Sequence, residues 1–218
     1  ELIREVLIGK SRENNHYKNA CRILNQASIV RERLHNSLSP YLDEEKIVNF
    51  IHRLCLREVK RTSEKENGKI RFLSSPTPLG IHTHYDTIFE TSENIINITD
   101  KTGFAGAIIM GVIKSYATKE KMEIIASPSY FGKDFFQFLL LPSLKLALCI
   151  SDNSHPLPFN SQNEINISRF FTDKSVLTSE KLKTLLSVEG SLLDKAVLSL
   201  YEGRDERFKY NNLVKGFT

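Results

Sequence analysis

Apolar residues recur at helical spacing through the first third of the chain and again at its end, and they cluster into short runs in between. Ala20, Ile23, Leu24, Ala27, Val30 and Leu34 fall three or four positions apart with charged residues between them, which predicts an amphipathic helix. Ser39-Pro40 resembles an N-cap with proline in the first turn, and Asp43, Glu44 and Glu45 follow where a helix dipole favours negative charge. Ile47, Val48, Ile51, Leu54, Cys55 and Val59 form a second stripe, so the two helices are expected to make an antiparallel N-terminal helical hairpin. Polar residues 61–69, with Asn67-Gly68, read as a linker, dividing residues 1–66 from a domain over 67–218.

Beyond the linker the apolar runs shorten to strand length. Strands are predicted at Ile70–Leu73, Asn94–Ile98, Met122–Ala126, Leu146–Ile150 and Ile165–Phe171, with Ser74–Gly80 as a loop. A helix over Ala105–Tyr116 separates the second and third strands. A short amphipathic stretch near Asp134–Leu139 separates the next pair. This alternation predicts an α/β fold with a mostly parallel sheet and flanking helices. Helical spacing returns over Thr178–Tyr201, which gives a C-terminal helix that Gly190 is expected to bend or divide, and the polar tail after Gly203 is expected to fray.

Composition changes this picture little. The 218 residues are 40% hydrophobic and 26% charged, ordinary values for a globular domain. A net charge of +4, spread along the sequence without a basic run, argues against nucleic acid as a partner. Cys21, Cys55 and Cys149 are odd in number and widely spaced, so they read as reduced core thiols of a cytoplasmic protein. No apolar run reaches membrane-span length, so no membrane partner is expected. The chain opens on Glu1, as a fragment or processed form would. A missing N-terminal half or a second copy is then the expected partner.

Candidate chemistry centres on Asn94–Gly111, where an apolar strand runs into a glycine-bearing turn and then a helix. A phosphate-binding loop has this layout but needs G-x-x-x-x-G-K-[ST]. With Gly103 as the middle glycine of a G-x-P-G-x-G-K-[ST] loop, Asp100 replaces the first glycine, Ala105 the last, Gly106 the lysine and Ala107 the hydroxyl residue. The lysine that neutralises phosphate and the hydroxyl that holds Mg²⁺ are both gone. Asp100 adds a negative charge; one unit-charge contact at ~4 Å and an effective dielectric of ~20 is worth about 4 kcal/mol. Two readings stay open at this point: a phosphate loop that has lost its chemistry, and a strand-to-helix turn whose glycines are purely steric.

Phe72–Phe159 resembles the C-terminal half of a duplicated bacterial P-loop ATPase-like family of uncharacterised function. Phe72–Gly80 looks like the family's "FLSAITPKG" entry segment, and Asn97–Ile113 like its loop and helix. Ile124–Tyr130 is similar to its second strand. Phe138–Leu148 resembles its "D-x-V-I-I-P-E-L-x-V-A-I" segment, and Ile150–Pro156 its "F-D-S-T-A-P-H" turn. The resemblance implies a P-loop NTPase-like fold and, where the loop is intact, ATP binding. This chain departs at Gly106 and Ala107, and Ser143 replaces the glutamate of the I-P-E-L segment. The expectation is therefore a catalytically degenerate domain with a structural or regulatory role and no catalytic residues or cofactor of its own. The phosphate-loop remnant is Asp100, Lys101, Gly103, Ala105, Gly106 and Ala107.

Asp152 follows an apolar strand as a Walker-B acid does, although an acid capping a turn explains it equally. A nucleotide enzyme with a displaced lysine, Lys101 or Lys114, is the second hypothesis, with ATP and Mg²⁺ held only if such a displaced site or a missing half supplies the ligands. The third is a metal-dependent hydrolase in which His82 and His84, two residues apart on one strand face, join His155. The bland alternative is a pair of surface histidines after a proline-rich turn.

Overall fold

The computed structural model describes residues 2–59, 67–152, 157–158 and 163–215. Helix α1 runs over Leu2–Leu38 without interruption. A 3-10 turn at Ser39–Tyr41, with Pro40 in its first positions, leads into α2 over Glu44–Glu58. Asp43 is the N-cap of α2, its side chain accepting from the Lys46 amide at 3.0 Å. The cap thus lies later than Ser39-Pro40 suggests, because proline fits a tight 3-10 turn as well as a first α-turn.

Strands β1 (Asn67–Ile70), β5 (Glu123–Ser129), β6 (Gly132–Leu141), β7 (Leu146–Ser151), β4 (Asn94–Thr99) and β8 (Asn163–Asn166) form a six-stranded sheet in that order. β1 pairs with β5 and β4 with both β7 and β8 in parallel, whereas β6 runs antiparallel to β5 and β7. The sheet is mixed and mostly parallel. Strand β6 replaces the short amphipathic segment expected near Asp134–Leu139. Phe138, Leu139, Leu140 and Leu141 are all fully buried, so both faces of this strand are apolar and the period-2 signal vanishes. The expected loop Ser74–Gly80 is instead a two-stranded antiparallel hairpin, β2 (Ser74–Thr77) and β3 (Gly80–Thr83). Gly80 closes its turn at φ 111°, a value that disfavours side chains. The predicted strand at Ile165–Phe171 ends early: β8 stops at Asn166, whose side chain accepts from the Ser168 amide and starts a 3-10 turn at Ile167–Phe170.

Helix α3 (Tyr85–Thr91) lies over one sheet face, where Ile88, Phe138, Leu140, Ala147 and Cys149 pack together. On the other face, α4 (Phe104–Lys119) lays Ala105, Ile109, Met110 and Ile113 against Leu139, Leu141, Leu148 and Ile150. Ile47, Ile51 and Leu54 of α2 join this larger core.

Helix α5 spans Glu180–Lys215 unbroken through Gly190 and Gly203, so among the described residues neither the expected division nor the expected fraying is observed. It is the long partner of α1. Matching contacts run Gly9 to Tyr210, Glu13 to Arg207, Asn19 to Ser199 and Arg31 to Glu189, which makes the pair antiparallel. The predicted hairpin therefore pairs the first helix with the last rather than with α2. Gly203 permits the approach: a Cβ there would lie 3.2 Å from the His16 Cβ. Among the described residues no helix is long and apolar enough to cross a membrane. Cys55 and Cys149 are buried as expected, with burial pushing their thiols up to about 11 and about 12, but Cys21 lies exposed on α1.

Candidate functional site

Strand β4, the turn Asp100–Gly103 and helix α4 reproduce the strand–loop–helix frame expected from Asn94–Gly111. The loop starts where the Asp100 amide donates to the Ser151 carbonyl at 2.9 Å, extending the β4–β7 pairing by one step. Gly103 is the N-cap of α4 at φ 68°, a left-handed conformation. The start of such a helix presents free N–H groups and partial positive charge, the usual attraction for an anion.

Here the anion is Asp100 itself. It is fully buried. Its Oδ1 accepts from the Thr102 amide at 2.9 Å and the Thr102 hydroxyl at 2.7 Å, and its Oδ2 accepts from the Gly106 amide at 2.8 Å. Burial pushes this carboxyl above the ordinary range, while these hydrogen bonds and the nearby Arg31 pull against that shift. The Thr102 hydroxyl also accepts from the Phe104 amide at 3.2 Å. Gly106, at the position of the missing lysine, has little room: a Cβ there would meet the Ile150 side chain at 3.0 Å and the Asp100 Oδ2 at 3.3 Å. Ala105 is buried against the core. The Ala107 amide donates to the Gly103 carbonyl at 3.2 Å within α4.

Arg31 of α1 fills the hollow above the turn. A Cβ on Gly103 would lie 2.3 Å from its Nη1. Its Nε and Nη2 donate to the two carboxylate oxygens of Glu189 on α5, both at 2.6 Å, in a bidentate fork. Nη1 donates to the Thr102 carbonyl at 3.1 Å, and Nη2 to Asp152 Oδ2 at 3.3 Å. The Phe131 ring lies 4.2 Å below the guanidinium. Burial draws the Arg31 pKa down, but Glu189 and Asp152 more than reverse this and hold it above the ordinary value. Burial pushes Glu189 up, and Arg31 opposes the shift. The short bidentate geometry is that of a guanidinium with a carboxylate, so we take the pair as ionised. His35, one turn along α1, contacts the Thr102 carbonyl at 3.3 Å; burial first and then Arg31 lower its pKa to about 4. It is therefore neutral near pH 7.

These groups close the site. Arg31, His35, Gly103, Ala107, Phe131, Ile150 and Asp152 surround about 10 Å³ of free space. One water needs about that much, whereas small-molecule pockets run to hundreds of Å³. The Arg31 guanidinium is committed to Glu189 and Asp152, so it is not available to neutralise a phosphate. Neither the volume nor the charge fits a nucleotide triphosphate with its Mg²⁺. Asp152 does end a strand parallel to β4, as expected, but its oxygen is committed to Arg31.

The remaining candidates are scattered. Lys101 is exposed and borders a separate cavity of about 240 Å³ with Thr99, Asn166, Ser168 and Leu182. Lys114 lies well along α4 with its amine 4.8 Å from the Phe136 ring centre. His82 and His84 are both exposed at the end of β3, with ring centres 4.7 Å apart. His155 lies outside the described residues. Among the described residues no group of three His, Cys, Asp or Glu side chains is placed to hold a metal ion.

Of the residues that meet here, Asp100, Gly103 and Asp152 were expected from the sequence, and Arg31, His35, Thr102 and Glu189 were not. A signal for two of them was present. Arg31 continues the α1 stripe Ala20, Ala27, Leu34, and Glu189 continues the α5 stripe Leu182, Leu193, Ala196; each is a charge at a core position. No family model matches the chain, and no curated protein or solved structure matches it either.

Proposed function

We propose that this chain is a catalytically silent domain derived from a P-loop NTPase-like fold, acting in the cytoplasm as a structural or regulatory element through protein contacts. The observation that carries this reading is the Asp100 carboxylate seated on the Thr102 and Gly106 amides, where a bound phosphate would otherwise lie. The β4–loop–α4 frame and an acid-ended parallel neighbour support descent from a nucleotide-binding ancestor. With the cradle satisfied from within, the frame serves as scaffold. The α1–α5 pair supplies contact surface: Ile3, Leu7 and Phe208 are 77%, 61% and 57% exposed, a setting for a partner domain or a second copy.

Calorimetric titration with MgATP, together with a phosphate-release assay, tests this reading. The expected result is no saturable binding at the loop and no turnover. Micromolar binding accompanied by hydrolysis, abolished by substitution within Asp100–Ala107, overturns it.

A further inference from the structure

The sequence disperses its positive charge, but the fold gathers part of it. Lys46, Phe50, Arg53 and Arg57 lie at i, i+4, i+7 and i+11 on one face of α2. The 3-10 turn Ile167–Phe170 brings Arg169 and Phe170 against this face. Together with Leu54 they line an open cleft of about 460 Å³. The Phe50 and Phe170 rings sit 5.1 Å apart, and the Arg169 guanidinium lies 4.4 Å and 4.8 Å from them.

Among the described residues, three of these four cations have no acidic partner: Lys46, Arg53 and Arg169 make no ion pair, while Arg57 reaches Glu58 at 2.6 Å. Asp43 is occupied with the Lys46 amide as the cap of α2, and Glu44 and Glu45 lie exposed in the first turn, off the cationic face. Burial and the neighbouring Arg53 both draw the Arg169 pKa below its ordinary value, as expected for like charges held together. Apart from the stacking of Arg169 on the two rings, no contact among the described residues offsets this repulsion, so the natural complement is an anion from outside.

The shape selects the anion. Guanidinium forks match phosphate geometry. Lys46 to Arg57 spans about 16 Å along the helix at 1.5 Å per residue, too long for one phosphate group and suited to consecutive ones. The cleft is open rather than enclosed, and its partly exposed Phe50 ring is the aromatic surface a base can meet, the Phe170 ring being buried. We propose that this cleft binds single-stranded nucleic acid, with backbone phosphates on Lys46, Arg53, Arg57 and Arg169 and a base against Phe50. The site shares no residue with the Asp100 loop and does not depend on the reading of that loop.

Fluorescence anisotropy of a labelled oligothymidylate with the full chain tests the proposal. Binding is expected to weaken with salt, with a log–log slope of up to about −2.8 for four phosphates at ~0.7 each. R53E/R57E, at two exposed positions, should weaken binding at least tenfold and flatten the slope by about 1.4. F50L keeps an apolar side chain in the core and removes the stacking ring, so it should cost about tenfold. R169E gives an independent arm off α2, and circular dichroism checks the fold of each variant. K195E, the same charge change as R169E but at an exposed position on α5, should bind like the parent. The proposal is overturned by absence of binding at ~100 µM protein in low salt, where even non-specific contacts are detectable. It is equally overturned by an equal loss in K195E, or by polyglutamate competing as well as the oligonucleotide, which would point to an acidic protein instead.

Discussion

Replacing Arg31 by methionine removes the cation from a closed cluster and leaves its volume roughly filled. The Arg31, Glu189 and Asp152 side chains are 5%, 3% and 2% exposed, so solvent cannot take over the lost contacts. Two carboxylates are then buried without their guanidinium, a change that typically costs about 3–5 kcal/mol. A separate bound gives the same scale. Glu189 can escape by taking a proton, and protonating a carboxyl of ordinary pKa 4.5 at pH 7 costs about 3 kcal/mol. That escape becomes nearly free at pH 5. R31M should therefore lose about 3–5 kcal/mol in urea unfolding at pH 7, and the loss should shrink by about 2–3 kcal/mol at pH 5. The R31M/E189M variant should be more stable than R31M alone, with a coupling energy of about 2–3 kcal/mol. A loss below about 1 kcal/mol at pH 7, or a loss independent of pH, would show that the cluster is not the closed ionic lock described above.

Three further outcomes follow from the same site. His35 has its pKa depressed from 6.5 to about 4, so the unfolded chain binds the extra proton between these values; stability should fall by up to about 3 kcal/mol as pH drops through that window, and H35Q should remove this slope in urea titrations at successive pH values. G103A should destabilise by more than 1 kcal/mol in thermal unfolding, because its Cβ meets Arg31 at 2.3 Å and φ is 68°. D100G frees the Thr102 and Gly106 amides, so inorganic phosphate should raise the Tm of D100G but not that of the parent.

Much of the fold was legible because its signals are local. The stripes of α2 and α4, the β4 and β7 runs and the strand–loop–helix frame all follow from periodicity and glycine placement. Strand β6 was not legible, since Phe138–Leu141 is apolar on both faces and carries no alternation. The α1–α5 pairing was hidden for another reason: two stripes reveal that each helix buries a face, but not against which partner. The site divides along the same line. Asp100 and Asp152 sit in the motif, whereas Arg31 and Glu189 arrive from the two ends of the chain and meet only in space. Their positions within apolar stripes were the one available clue. The cationic cleft was equally invisible, because Arg169 joins Arg53 and Arg57 only through the fold.

The most direct test is to follow the Thr102 and Gly106 backbone amides by ¹⁵N NMR while MgATP is added to the full chain. Both donate to Asp100 within the protein, so their resonances should stay in place throughout the titration. Saturable shifts centred on these two amides would mean that phosphate displaces the carboxylate and that the cradle still works.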